Sequence, residues 1–193
     1  KAQRRTPGET DVTSPSFEPQ HRYAEINGIW MHYVEAGEGE TVLFLHGFPE
    51  FWYSWRHQLE ALAPHYRVVA PDLRGYNETE ARGPYYTDTL QQDVVALIHH
   101  LGQERVHIVA HDWGGAIAWM LGMERPEAVR SLTICNLPHP AIFQKAVARP
   151  RQMLQSWDFA FFHLPWLPER ALTLDHSQRL AHGSTSTRPP GAS

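Results

Sequence analysis

Val106-His107-Ile108-Val109-Ala110-His111-Asp112-Trp113-Gly114-Gly115 runs from an apolar, β-branched segment into a glycine pair and on to Ala116-Ile117-Ala118-Trp119. An apolar run of this length reads as a central strand, and the small residues after it predict a helix opening at Gly114-Gly115. Asp112 therefore falls at the tip of a strand-turn-helix corner. Ala110 and Gly114 stand two positions to either side of it, and small residues there suit a tight turn in which helix backbone passes close to strand backbone. The spacing puts a carboxylate where ester-cleaving elbows carry Ser. A carboxylate attacking an ester carbonyl yields only an anhydride, whereas attack on electrophilic saturated carbon yields a stable alkyl ester. An epoxide or alkyl halide is the electrophile this chemistry calls for. Taken alone, Asp112 fits a helix N-cap equally well, a role in which Asp stabilises by about 1 kcal/mol.

A second motif narrows the choice. Thr41-Val42-Leu43-Phe44-Leu45 is a short apolar strand that ends in His46-Gly47-Phe48-Pro49-Glu50. Gly47 and Pro49 shape a turn that exposes the Phe48 backbone N–H, and Pro49 is a candidate for a cis peptide bond. With the N–H of Trp113, the residue after Asp112, Phe48 forms the expected two-donor oxyanion hole for hydrolysis of the Asp112 ester. His46 is expected to fix the turn by hydrogen bonding rather than to take part in chemistry.

These two motifs, together with Trp55-Arg56, Asp72-Leu73-Arg74-Gly75-Tyr76, Asn136-Leu137-Pro138-His139-Pro140 and Leu164-Pro165-Trp166-Leu167-Pro168-Glu169, carry a resemblance to the α/β-hydrolase superfamily, specifically its epoxide hydrolase branch. The resemblance runs from about residue 20 to about 172 and implies an α/β fold: a mostly parallel sheet with flanking helices and the start of a helical cap, the last strands missing. It implies Asp112 as nucleophile, a substrate pocket that includes Phe48, Pro49 and Trp113, and a small apolar epoxide or related molecule as substrate. The family's cap tyrosine, which donates to the epoxide oxygen, aligns with Asp158, and an ionised Asp cannot donate. The family also has a His base and an orienting acid after its last strands. The resemblance therefore implies a C-terminally truncated chain in which Asp112 is alkylated without turnover. Asn77 stands where the family places a second Gly, a departure compatible with left-handed backbone, which Asn also enters.

The residue pattern agrees with this map. Tyr23 to Ile26 and Ile29 to Glu35 read as strands around an Asn27-Gly28 hairpin turn. Residues 42–45, 68–70, 106–110 and 131–135 read as further strands, and residues 52–64, 89–101 and 115–125 as helices. Alternation of the two types predicts a parallel sheet with helices on both faces and ligand binding beyond the carboxyl ends of the strands. The expected organisation is a disordered segment at 1–20, the α/β-hydrolase core at 21–137, the start of the cap at 138–172 with Trp157, Phe159, Phe161, Phe162 and Trp166, and a disordered or out-of-frame tail at 173–193. Trp52, Tyr53 and Trp55 are expected in the core more than in a pocket. Asp72 and Arg74 are expected to hold their loop rather than to touch substrate.

Composition bounds the remainder. The chain has 193 residues, 42% of them hydrophobic and 20% charged, with a net charge of −4, the profile of an ordinary globular domain. Lys and Arg are scattered without the basic stripe that a phosphate backbone requires, so no nucleic-acid partner is expected. No run approaches the roughly 18 apolar residues of a membrane span. The single Cys135 precludes an internal disulfide, suits a cytoplasmic setting and is expected to be a buried, inert thiol. Among the 13 His none forms a helical His-x-x-x-His pair beside an acid, so neither metal nor cofactor is expected. The oligomeric state is left open. Two further readings stand beside the epoxide hydrolase: a haloalkane dehalogenase-like enzyme, in which the position of Phe48 typically carries Asn, and a non-catalytic truncated relative.

Overall fold

The computed structural model describes residues 17–147. Within them the chain alternates strands β1 (Gln20–Ile26), β2 (Ile29–Ala36), β3 (Thr41–Leu45), β4 (Arg67–Pro71), β5 (Val106–His111) and β6 (Val129–Cys135) with helices α1 (Arg56–Leu62), α2 (Thr87–His100), α3 (Asp112–Glu124) and α4 (Pro140–Val147). Short 3₁₀ turns precede α1 at Trp52–Trp55 and β6 at Pro126–Ala128. The strands form one sheet in the order β1-β2-β4-β3-β5-β6. β1, β2 and β4 pair antiparallel in succession, and β4, β3, β5 and β6 run parallel.

The β1–β2 hairpin turns at Asn27 and Gly28, whose φ values of 49° and 74° are the left-handed pair that a two-residue hairpin demands and that Asn-Gly tolerates. The chain then lays β3 at the centre of the sheet and returns through α1 to β4 on one side. From β4 it crosses β3 by way of α2 to β5 on the other side. The two crossovers therefore leave opposite faces covered. Trp55 and Leu59 pack with Val34, Val42, Phe44, Val68 and Ala70 on the α1 face. On the other, Val94, Leu97 and Ile98 of α2 and Ile117, Ala118 and Leu121 of α3 cover Leu43, Leu45, Val69, Ile108 and Ala110. This two-layered covering explains the unbroken burial of β3, which an α/β sheet buries from both sides.

Reversal of strand order about β3 makes the crevice between the ends of β3 and β5 the topological switch point, where open α/β sheets take ligands. Register brings their ends level, with Val42 opposite His107 and Leu45 opposite Ala110. His46-Gly47 and His111-Asp112 consequently leave the sheet side by side.

Several boundaries differ from those the sequence suggested. β1 starts at Gln20 rather than at Tyr23, and Phe17 packs against the α1-side cluster. α3 starts at Asp112, two residues before the glycine pair, because the Gly114 N–H donates to the His46 carbonyl at 3.1 Å and the helix's first turn rests against the end of β3. Of the three aromatics after the Phe48 turn, Trp55 is core, Trp52 is half-buried and Tyr53 is exposed with Arg56 over its ring. Cys135 is half-buried rather than buried. No helix among the described residues is long and apolar enough to cross a membrane. The aromatic cap segment with Asp158, and the tail from 173, lie outside the described residues, while α4 occupies the first part of the expected cap.

Candidate active site

Asp112, the first residue of α3 directly after β5, stands at φ +50°, a strained backbone for a residue other than Gly that recurs at functional turns. Its carboxylate does not cap the helix: His111 is the N-cap residue, and α3 has no side-chain cap bond. Instead Oδ1 accepts the Phe48 N–H at 3.0 Å. The two motifs, separated by 64 positions, thus meet through one hydrogen bond. Trp113 N–H is among the first amides of α3, which have no carbonyl one turn back to bond and carry the positive end of the helix dipole.

Glycine makes this approach possible. A Cβ on Gly47 would come within 2.5 Å of the Asp112 Cβ and 2.9 Å of its Oδ1. A Cβ on Gly114 would meet the Leu45 carbonyl oxygen at 2.5 Å and that of His46 at 2.6 Å. Neither residue has a positive φ, so close approach, not backbone freedom, explains both. Gly115 is less constrained, its nearest neighbour being the Ile134 side chain at 3.2 Å.

The Phe48 turn is held from below. The Phe48–Pro49 peptide bond is cis. His46 is fully buried. Its Nε2 accepts the Leu73 N–H at 2.9 Å, which leaves the Nδ1 hydrogen to donate to the Gly47 carbonyl at 2.9 Å. Both bonds require the neutral ring, and burial lowers the His46 pKa against the opposing pull of the Gly47 carbonyl, Asp72 and Glu50. His46 is therefore a brace between the turn and the loop after β4. Tyr76 lies edge-on to it at 5.0 Å, its phenol pushed up by burial and then by the Asp112 charge.

Sequence reasoning missed a second brace. His111 Nδ1 lies 3.3 Å from Glu50 Oε2, and the Asn136 amide reaches His111 Nε2 at 3.2 Å. Glu50 Oε2 also accepts the Gly47 N–H at 3.4 Å. Residues from the ends of β3, β5 and β6 are tied together in this way around Asp112. Only the adjacency of His111 to Asp112 signalled it.

Asp72 and Arg74 hold their loop, as the sequence suggested. Arg74 forms a buried two-pronged pair with Asp93, Nε to Oδ2 at 2.7 Å and Nη2 to Oδ1 at 2.6 Å, and also donates to the Arg82 carbonyl. Asp72, fully buried, accepts from the Trp52 N–H at 3.0 Å, from Asn77 Nδ2 at 2.8 Å and from His32 Nδ1 at 2.6 Å. Asn77 adopts φ +44°, left-handed backbone that Asn tolerates.

Phe48 and Trp113 are 40% and 52% exposed beside the carboxylate, and Pro49 is exposed too. Apolar surface around a polar centre marks a binding face. All three residues expected in the pocket are therefore exposed.

Comparison with known proteins agrees with this geometry. Residues 40–185 match the family model described as alpha/beta hydrolase fold. Epoxide hydrolase 4 of Homo sapiens is 44% identical over 174 residues, covering 86% of this chain and 48% of that protein. The AB hydrolase superfamily protein YfhM of Bacillus subtilis is 42% identical over 158 residues, 78% of this chain and 55% of that protein. Among solved structures, epoxide hydrolase VrEH1 from Vigna radiata superposes with a TM-score of 0.61 at 53% identity over 63% of this chain and 39% of its own. An epoxide hydrolase mutant from Bacillus megaterium, in complex with its diol product, superposes with a TM-score of 0.76 at 32% identity over 83% of this chain and 58% of its own. The chain spans about half the length of the curated relatives it matches. With its sheet order, its level β3 and β5 ends and its similarity to epoxide hydrolases, the chain belongs to the alpha/beta hydrolase fold family.

Proposed function

We propose that the protein is an epoxide hydrolase in which Asp112 is the nucleophile. The observation that carries this reading is the 3.0 Å hydrogen bond from the Phe48 N–H to Asp112 Oδ1. It engages one carboxylate oxygen and leaves Oδ2 to attack. Oδ2 forms a bond to one epoxide carbon as the ring C–O bond breaks, and the alkoxide takes up a proton to become a hydroxyl. The product is a hydroxyalkyl ester of Asp112.

In the second half-reaction water adds to the ester carbonyl carbon and negative charge develops on Oδ1, already beside the Phe48 N–H and close to the first amides of α3. Loss of one oxyanion-hole donor costs roughly 10²- to 10³-fold in such reactions. Collapse of the adduct breaks the bond between the carboxyl carbon and Oδ2, which leaves on the substrate carbon as the second hydroxyl of a vicinal diol, while the oxygen of the attacking water restores the carboxylate. His46 and His111 are committed at both ring nitrogens, so neither is assigned the activation of that water. The relative from Bacillus megaterium was crystallised with a naphthyloxy-propane diol as its product, and the exposed faces of Phe48 and Trp113 suit an aryl substituent of that kind.

The haloalkane dehalogenase reading finds less support, because Phe48 offers only its backbone amide and no side-chain N–H to a departing halide. Intact-mass measurement after incubation with styrene oxide tests the proposal. Wild type gains the mass of one substrate, either lastingly or transiently under single-turnover conditions. Asp112→Asn, whose side chain tolerates φ +50°, gains none. Equal labelling of both would refute the assignment.

A further inference from the structure

Far from Asp112 in sequence, the β1–β2 hairpin gathers a second group of polar side chains. Tyr23 pairs directly across from His32, and His21 lies two residues before Tyr23 on the same face of β1. His21 Nδ1 stands 2.9 Å from His32 Nε2. Glu78, from the loop after β4, closes the group and accepts the Tyr23 hydroxyl. One ligand-type atom from each of His21, His32 and Glu78 lies within 4.8 Å of the others.

Charge makes the arrangement more than a hydrogen-bonded cluster. Among the described residues two carboxylates are buried, Asp93 and Asp72. Asp93 is neutralised by Arg74 through two short bonds. Among the described residues no Arg or Lys pairs with Asp72, whose carboxylate accepts from the Trp52 and Glu78 amides, from Asn77 and from His32, the one ionisable side chain bonded to it. A buried carboxylate without a counter-charge is costly.

We infer that His21, His32 and Glu78 form a binding site for a zinc-class divalent cation, with Asp72 orienting His32 from behind. The cation's two positive charges balance Asp72 and Glu78. Hydrogen bonding selects the right tautomer: His32 Nδ1–H donates to Asp72 Oδ2 at 2.6 Å, so Nε2 presents its lone pair to the cation. Carboxylate-histidine-metal chains of this kind raise ligand basicity and fix the ring. His32 is further held through its own N–H, donated to Thr79 Oγ1 at 3.0 Å, and the His21 ring meets Trp52 edge-on at 5.3 Å. Donor atoms around tetrahedral zinc, at about 2.0 to 2.1 Å from the metal, stand roughly 3.3 Å apart. The two ring nitrogens need to separate by only a few tenths of an ångström to accept it. Two imidazoles and one carboxylate favour zinc, cobalt or nickel over magnesium or calcium. His21 and Glu78 are exposed, which gives the cation a route in and leaves a fourth position for water. The bound ion clasps the hairpin to the loop that carries Asp72 and Arg74.

Titration of the chelator-stripped chain with Co²⁺, followed by visible absorption and then by displacement with Zn²⁺, tests this. Wild type takes up one Co²⁺ with the intense bands of low-symmetry coordination, and Zn²⁺ removes them. His32 is buried and its replacement risks unfolding, so the variants are His21→Ala and Glu78→Gln, checked for unchanged thermal midpoints without metal. The expected affinity loss is about 100-fold for His21→Ala and at least about 10-fold for Glu78→Gln. Absence of stoichiometric uptake by wild type, or binding by His21→Ala as tight as wild type, would overturn the site and leave the two histidines sharing a proton.

Discussion

Replacing Gly114 by Ala tests whether the elbow is built by close approach of backbone to backbone. The new Cβ would lie 2.5 Å from the Leu45 oxygen, 2.6 Å from the His46 oxygen and 2.7 Å from the Leu45 carbonyl carbon. Ordinary contact begins near 3.4 Å, so α3 must withdraw by up to 3.4 minus 2.5, or 0.9 Å, from backbone atoms at the end of β3, where Leu45 is paired with Ala110 of β5. Overpacking of this kind costs about 1 to 3 kcal/mol, and a rigid neighbour places it at the upper end. Ala for Gly inside a helix recovers up to about 1 kcal/mol, so a net loss of roughly 2 kcal/mol follows. Gly115→Ala provides the control one residue on. It gains the same propensity and meets only the half-buried Ile134 side chain at 3.2 Å, so its stability should change by between zero and about +1 kcal/mol. Urea unfolding at constant m-value measures both. Withdrawal of α3 also pulls Asp112 from the Phe48 N–H, and a displacement near 1 Å slows alkylation by styrene oxide about 100-fold. If Gly114→Ala proves as stable as Gly115→Ala, or is alkylated at the wild-type rate, the close-packed elbow is wrong.

Three other outcomes follow from the same structure. Burial depresses the His46 pKa, so below the ordinary imidazole value of about 6.5 the unfolded chain binds a proton that the folded chain refuses. Its contribution to stability is therefore complete above that value and falls as the pH drops toward the folded pKa, by up to about 1.4 kcal/mol per pH unit. Urea midpoints against pH should show a shallower slope for His46→Gln than for wild type. Arg74→Met strands the buried Asp93 charge and should cost about 3 to 5 kcal/mol by thermal or urea unfolding, while adding Asp93→Leu should recover most of it. At Asn77, Gly accepts φ +44° but forfeits the 2.8 Å bond to Asp72. Asn77→Gly should lose about 1 kcal/mol, and Asn77→Ala, which loses the bond and also dislikes the backbone, should lose more by the same measurement.

Local rules made much of the fold readable in the chain itself. Asn27-Gly28 announces its hairpin because few residues adopt two left-handed positions in succession, and the apolar runs at 42–45 and 106–110 announce strands covered on both faces. The elbow around Asp112 and the glycine turn around Phe48 were legible for the same reason: small residues at fixed short spacing have a local steric cause. The start of α3 was misplaced by two residues because it depends on a carbonyl, that of His46, delivered by another strand.

What the sequence could not determine is which distant atoms meet. That Phe48 donates to Asp112, that Arg74 neutralises Asp93, and that His21, His32 and Glu78 converge in front of Asp72 all follow from strand order and register. Periodicity carries only the face on which a side chain stands, whereas a hydrogen bond or an ion site requires donor and acceptor to agree within a few tenths of an ångström. That agreement is set when β3 and β5 align their ends and the β1–β2 hairpin packs on the loop after β4, and only the folded chain supplies it.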